Sequence, residues 1–258
     1  MLTMPEDVFI VLLSVSLAFG FLCFLHRFWP SSQRREHNEI IGWQVSVLGT
    51  TYAVIMGFML YAVWTDFTAA DVNANAEANS LVNVSRLAEG LPATQRDQIQ
   101  KLARDYSDAM LSDEWPAMHA GGLGTKGHII MGELWTAAIG TQPSSASEQT
   151  CMNQLITELA HLTECRRLRE LQSEQKLPEI LWVVLIGGGV ITTLSSCLFG
   201  TDNFKLHVIQ VLSLTLLLSL TLVAIADIDR PFQGTVHVKP MGFARARDTL
   251  AEPKARVQ

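Results

Sequence analysis

An all-α membrane protein is predicted. It has four transmembrane helices, a helical extramembrane insertion between the second and third, and a second helix extending well beyond the membrane. Three observations predict it. Apolar residues make up 48 % of the 258 residues and charged ones only 17 %, below the roughly 25 % charged expected of a soluble domain. The apolar surplus gives a mean hydropathy of +0.23 and sits in four blocks of about 20 residues, enough to cross about 30 Å of hydrocarbon. The stretch between the second and third blocks reads as helix throughout. A purely soluble enzyme, a disordered tail and a secreted disulfide scaffold are excluded. The 19 basic and 25 acidic residues give −6 formally and a pI of about 5.6. Nucleic acid is therefore not an expected partner, since phosphate binding needs a basic face.

Residues 1–64 carry the first two spans. The first runs from about Val8 to Phe28, longer than a signal-peptide core and without a small-residue cleavage site after it, so it is expected to be retained. A short basic loop with Arg27, Arg34 and Arg35 leads to the second span, Trp43–Trp64, which contains no charged residue. Residues 65–177 form the extramembrane domain. Asp66–Glu89 lacks Pro and Gly, so the second helix is expected to continue to Gly90-Leu91-Pro92. It would be a rod of about 47 residues, ~70 Å at about 1.5 Å per residue.

Thr94–Asp97 resembles a capping box, and Ile99, Leu102, Tyr106, Ala109 and Met110 form one helical stripe ending near Trp115-Pro116. Gly121–Gly127 is a loop, His128–Ile139 a short helix, and Ser144–Ser147 a turn and cap. A helix over about Glu148–Gln175 is expected to turn Leu155, Leu159, Leu162, Leu168 and Leu171 inward. Residues 178–230 hold the third span, about Glu179–Phe199, and the fourth, about Leu206–Ala226. The tail, 231–258, has little periodicity, and its last dozen residues are expected to be mobile. Trp29, Trp43, Trp64 and Trp182 fall at span ends, where indole rings favour the headgroup level of the lipid bilayer.

Charge counting gives opposing indications of sidedness. Arg27, Arg34 and Arg35 place the first loop inside, whereas Arg166, Arg167, Arg169 and Lys176 before span three place the insertion inside. The side of the extramembrane domain stays open on this ground.

Little catalytic chemistry is on offer. Glu158-x-x-His161 has the helical spacing used in di-iron bundles, but only one copy is present where two are needed. The glycines at 121–127 lack the Gly-Lys-Ser/Thr ending of a phosphate loop. Cys151 and Cys165 lie ~21 Å apart along one predicted helix, too far to bridge. No Ser/His/Asp grouping has a recognisable signature, and no metal, cofactor or enzymatic activity is expected.

The spans lack ionisable residues near their midplanes; Asp227, Asp229 and Arg230 lie at the end of helix four. That lowers the expectation of a coupled transporter and leaves a passive pore open. In span two Gly49, Ala53 and Gly57 line one face, which suits close packing within the protomer or an oligomer axis. Asp71, Asn75, Asn79 and Asn83 follow at i+4 steps, although Asn forms helices poorly. They suit a solvated face or a polar vestibule. Gly187-Gly188-Gly189 in span three suits a close helix crossing or a hinge.

His37-Asn38-Glu39, Tyr52-Ala53-Val54, Gly57-Phe58, Trp64, Glu77-Ala78 and Arg86-Leu87-Ala88 with Leu91-Pro92 recur in one family. So do Tyr106, Glu114-Trp115-Pro116, Leu177-Pro178, Trp182, Phe199-Gly200 and Asp229-Arg230-Pro231-Phe232 with Gly234. Together the chain resembles the bestrophin-like family of bacterial multi-pass membrane proteins. The resemblance implies likeness to bestrophins: pentameric anion channels with four membrane helices per chain, whose long second helix lines an apolar neck. It thus implies a bacterial inner or plasma membrane, a homo-oligomer, inorganic anions as permeant partners and a cytosolic insertion. Phe232 is followed by Gln233-Gly234-Thr235 rather than acidic residues, so the calcium site of animal bestrophins does not carry over. The expected function is an oligomeric passive ion channel; the alternative is a membrane-anchored interaction or sensory module without a pore.

Overall fold

The computed structural model describes residues 4–251, and these are helical with short connections. In chain order the helices are α1 (Met4–Phe28), α2 (Ser31–Arg35), α3 (Asn38–Leu87), α4 (Ala93–Ala109), α5 (Trp115–His119), α6 (Lys126–Ile139), α7 (Ala146–Glu174), α8 (Glu179–Cys197), α9 (Phe204–Ile228) and α10 (Met241–Ala251). Four helical segments are long and apolar enough to cross a membrane: Pro5–Phe28, Asn38–Gly90, Glu179–Cys197 and Phe204–Ile228. The second contains the 50-residue α3 and the short 3-10 turn Ala88–Gly90 after it. The predicted fold class is the observed one.

The chain divides into two compact units. The first is Met1–Thr65 with Lys176–Asp229, the second Asp66–Gln175 with Arg230–Gln258. In the first, Ala18, Leu22 and Leu25 of α1 pack with Cys197 of α8 and Val211 of α9. A second cluster joins Tyr52, Met56 and Val63 of α3 to Leu185 of α8 and Ile225 of α9. Phe9, Leu12, Ile186, Val190, Ile209 and Leu217 lie exposed on the helices, as expected of groups that hydrocarbon solvates.

The glycines of α8 mark a close crossing. A Cβ at Gly188 would fall 2.6 Å from the Tyr52 ring, and Tyr52 donates its hydroxyl to the Leu185 carbonyl at 2.6 Å. At the loop end, the Asn38 side chain both donates to the Gly200 carbonyl and accepts from its N–H, each at 2.8 Å. Arg34 is buried and donates to the Cys197 carbonyl at 2.9 Å. There a cation satisfies the C-terminal end of α8.

In the second unit the core stripe of α3 is Ala70, Ala74, Glu77, Leu81, Val84 and Ala88, a four-three alternation typical of helix seams. The stripe expected on α4 is buried throughout: Ile99, Leu102, Tyr106, Ala109 and Met110. Four expectations are corrected. Pro92, not Thr94, precedes α4, no side chain caps it, and Arg96 bonds its neighbour Asp97 instead. The helix does not stop at Trp115-Pro116. It widens into a π-turn, Met110–Glu114, and continues as α5, because a π-turn accommodates the hydrogen bond that proline cannot make. Leu168 and Leu171 are 36 % and 52 % exposed, while Arg166 and Arg169 are buried. The tail forms α10, with Phe243 and Ala246 buried; residues 252–258 lie outside the described residues. The expected cap at 144–147 is present. Ser145 accepts from the Glu148 N–H, and the Ser144 N–H and hydroxyl hold the Glu148 carboxyl below its usual range.

Candidate pore-lining helix and the buried charge cluster

The uncovered face of α3 carries most of the residues singled out by sequence. In the first unit Ala53 and Gly57 are exposed and Gly49 is half-buried. A Cβ at Gly49 or Gly57 would meet nothing within 4 Å, so packing against α1, α8 or α9 does not explain these glycines. Val54, Phe58 and Tyr61, on the adjoining face, are 52 %, 66 % and 70 % exposed.

In the second unit Asp71, Asn79 and Asn83 are exposed and Asn75 is half-buried. Asn75 donates to the Asp71 carbonyl at 2.8 Å and is packed beside Gly242 of α10. Asn83 donates to Glu158 at 3.2 Å. Among the tryptophans, Trp43 and Trp64 are exposed, while Trp29 and Trp182 pack against the two apolar clusters of the first unit. Asp229 accepts from the Leu177 N–H at 2.8 Å, Asp227 is buried, and Arg230, in the second unit, bonds Gln233 at 3.3 Å.

Sequence reasoning missed a charge cluster inside the second unit. Arg169 donates to Glu77 at 2.6 Å and reaches Glu114 at 3.4 Å; Arg166 donates to Glu114 at 2.8 Å. Tyr106 donates its hydroxyl to Glu77 at 2.6 Å. Glu77, Tyr106, Glu114 and Arg169 are fully buried. Burial opposes charge on both arginines, yet Tyr106 and Glu114 beside Arg166, and Glu77, Tyr106 and Glu114 beside Arg169, hold their pKa values above the ordinary range. The Tyr106 phenol is pushed well up by burial and by Glu77. The Arg169 guanidinium also lies 5.4 Å from the centre of the Trp115 ring, whose N–H donates to the Val238 carbonyl at 3.0 Å.

Glycine at 127 permits this cluster, since a Cβ there would fall 2.7 Å from Glu114 Oε1. Close approach, not phosphate binding, is what this glycine serves. The missed signal was periodicity: Leu155, Leu159, Leu162, Arg166 and Arg169 continue one four-three stripe. Among the described residues no group of three or more His, Cys, Asp or Glu side chains is gathered as for a metal.

Four apolar helical segments, one prolonged into a helical unit with a buried ionic core, define a polytopic helical membrane protein. The profile of the Bestrophin-like domain matches residues 12–243, and the chain belongs to that family. A crystal structure of a bacterial bestrophin homologue from Klebsiella pneumoniae, carrying a point mutation, aligns with a TM-score of 0.70 at 13 % identity, covering 95 % of this chain and 97 % of that one. Another variant of that homologue gives 0.73 at 12 % identity over 96 % and 100 %. A third structure of the homologue gives 0.67 at 13 % over 94 % and 95 %. No curated protein matches the chain.

Proposed function

We propose that this protein is an oligomeric passive ion channel, an anion-conducting pentamer whose pore is lined by α3, and not an enzyme. The observation that carries the reading is the uncovered face of α3. Gly49 and Gly57 have no neighbour a Cβ would touch, and Asp71, Asn79 and Asn83 are exposed beyond them. Small residues let helices approach around an axis, and the asparagine amides offer N–H donors to an anion in a wet vestibule. Membership in the Bestrophin-like family supports the same plan. Residues 1–64 and 178–230 form the membrane part, 65–177 the extramembrane domain and 231–258 the tail that closes on it. Trp29, Trp43, Trp64 and Trp182 anchor the spans at the headgroup level.

Asp71 favours a second reading of selectivity, because rings of carboxylates select cations. Purified protein in a planar bilayer under a salt gradient tests both. An anion-selective reversal potential that Asn79→Asp weakens supports the reading. A cation-selective reversal abolished by Asp71→Asn supports the second. Absence of current from a monomer across voltage and pH sinks both in favour of a pore-less module.

A further inference from the structure

We propose that His161 and Cys165 form a binding site for a soft divalent metal ion of the zinc class, held on α7 and braced by α3 in the second unit. The two residues are one turn apart, so their side chains share a helix face. The Cys165 sulfur lies 3.7 Å from His161 Nε2. Zn–N of about 2.0 Å and Zn–S of about 2.3 Å at a tetrahedral angle span roughly 3.5 Å between nitrogen and sulfur. A metal ion therefore fits between the two atoms after a shift of a few tenths of an ångström.

Both ligands are fixed from α3. Ser80 Oγ lies 2.7 Å from His161 Nδ1, which orients the ring with Nε2 toward the sulfur, the outer-shell role that metal-binding histidines use. Seven residues earlier, Asn73 donates to the Cys165 carbonyl at 2.8 Å. His161 is exposed and Cys165 buried, so an ion approaches from the imidazole side. Burial raises the Cys165 thiol, and so do the carboxylates of Glu77, Glu164 and Glu158. The negative surroundings that discourage a bare thiolate attract a cation. Among the described residues no third ligand completes the set, so water fills the remaining positions.

Binding breaks the Cys165 S–H bond. The sulfur and the His161 Nε2 lone pair each bond the metal, one proton leaves to solvent, and nothing is oxidised. Affinity consequently rises with pH.

The test uses the full chain in detergent micelles, stripped with chelator and titrated with Zn2+ against a chromophoric competitor and separately with Co2+. Wild type is expected to bind Zn2+, with a near-ultraviolet thiolate–Co2+ absorption band. Cys165→Ser removes the band, and His161→Gln, at an exposed position, weakens Zn2+ binding about tenfold or more. Ser80→Ala weakens binding about tenfold while keeping the band, as a positioning residue should. His119→Ala, at the other close histidine pair (His119 and His237, ring centres 4.9 Å apart), changes nothing. Wild-type affinity in His161→Gln, or a Co2+ spectrum without the thiolate band, overturns the site.

Discussion

Arg169 Nε lies 2.6 Å from Glu77 Oε2, and neither side chain is exposed at all. Each would be costly alone: removing one member of a buried pair typically destabilises by about 3–5 kcal/mol, because the other charge is left without compensation. Arg169→Met is expected to fall in that range, read from denaturant unfolding of the full chain in micelles. Glu77→Gln combined with Arg169→Met should lose less than the sum of the two single variants. Additive losses would show that the pair is not coupled.

Tyr106 makes the same cluster sensitive to alkali. Its phenol, raised by burial and by Glu77, keeps its proton in the folded chain where the unfolded chain releases it near pH 10. The folded state then binds more protons, so stability falls as pH rises above about 10 and is unaffected by this group below it. Tyr106→Phe should flatten that alkaline decline and cost about 1–3 kcal/mol at neutral pH. A decline of unchanged slope in the variant would assign it to other groups.

Adjacent glycines on α8 should behave differently. A Cβ at Gly188 meets the Tyr52 ring, whereas one at Gly187 meets nothing within 4 Å. Gly188→Ala is expected to lower stability by about 1–3 kcal/mol through overpacking. Gly187→Ala should be neutral or stabilising by up to about 1 kcal/mol. Equal effects on the melting temperature would argue against a close crossing here.

The loop end of the first unit offers a hydrogen-bond test. Asn38→Ala leaves the Gly200 N–H and carbonyl, each bonded at 2.8 Å, without a side-chain partner. A loss of about 1–3 kcal/mol is expected. Asn38→Asp keeps the acceptor and should recover part of it, measured by the same unfolding assay.

Much of the fold was legible because membrane spans are written in composition. About twenty apolar residues have few other uses, and α3 ran on because nothing between Asp66 and Glu89 stops a helix. The charge cluster was not legible as long as arginine was taken for a surface residue. The leucines at 168 and 171 looked like the inward face, but the spacing from Leu155 through Leu162 leads to Arg166 and Arg169. Hydrophobicity and periodicity disagreed there, and periodicity was right. The same oversight distorts sidedness: Arg34 caps α8 and Arg166 and Arg169 neutralise glutamates, so counting them as free loop charges misstates both sides. Helix α10 escaped notice because its anchors, Phe232, Val238 and Phe243, are too widely spaced for a local pattern. The face proposed to line a pore could be located on α3, but its partners belong to no single chain.

The π-turn at Met110–Glu114 fixes rotational phase. Its Asp113 accepts from the N–H groups of Thr125 and Lys126 at 3.2 and 3.1 Å, holding the start of α6, while its Glu114 meets both buried arginines. One residue fewer would restore ordinary helical winding and turn everything beyond it by about 100°. Glu114 and Trp115 would swing off the core together. Length at this point is therefore as constrained as chemistry, and a shortened relative would need a different way to neutralise Arg166 and Arg169.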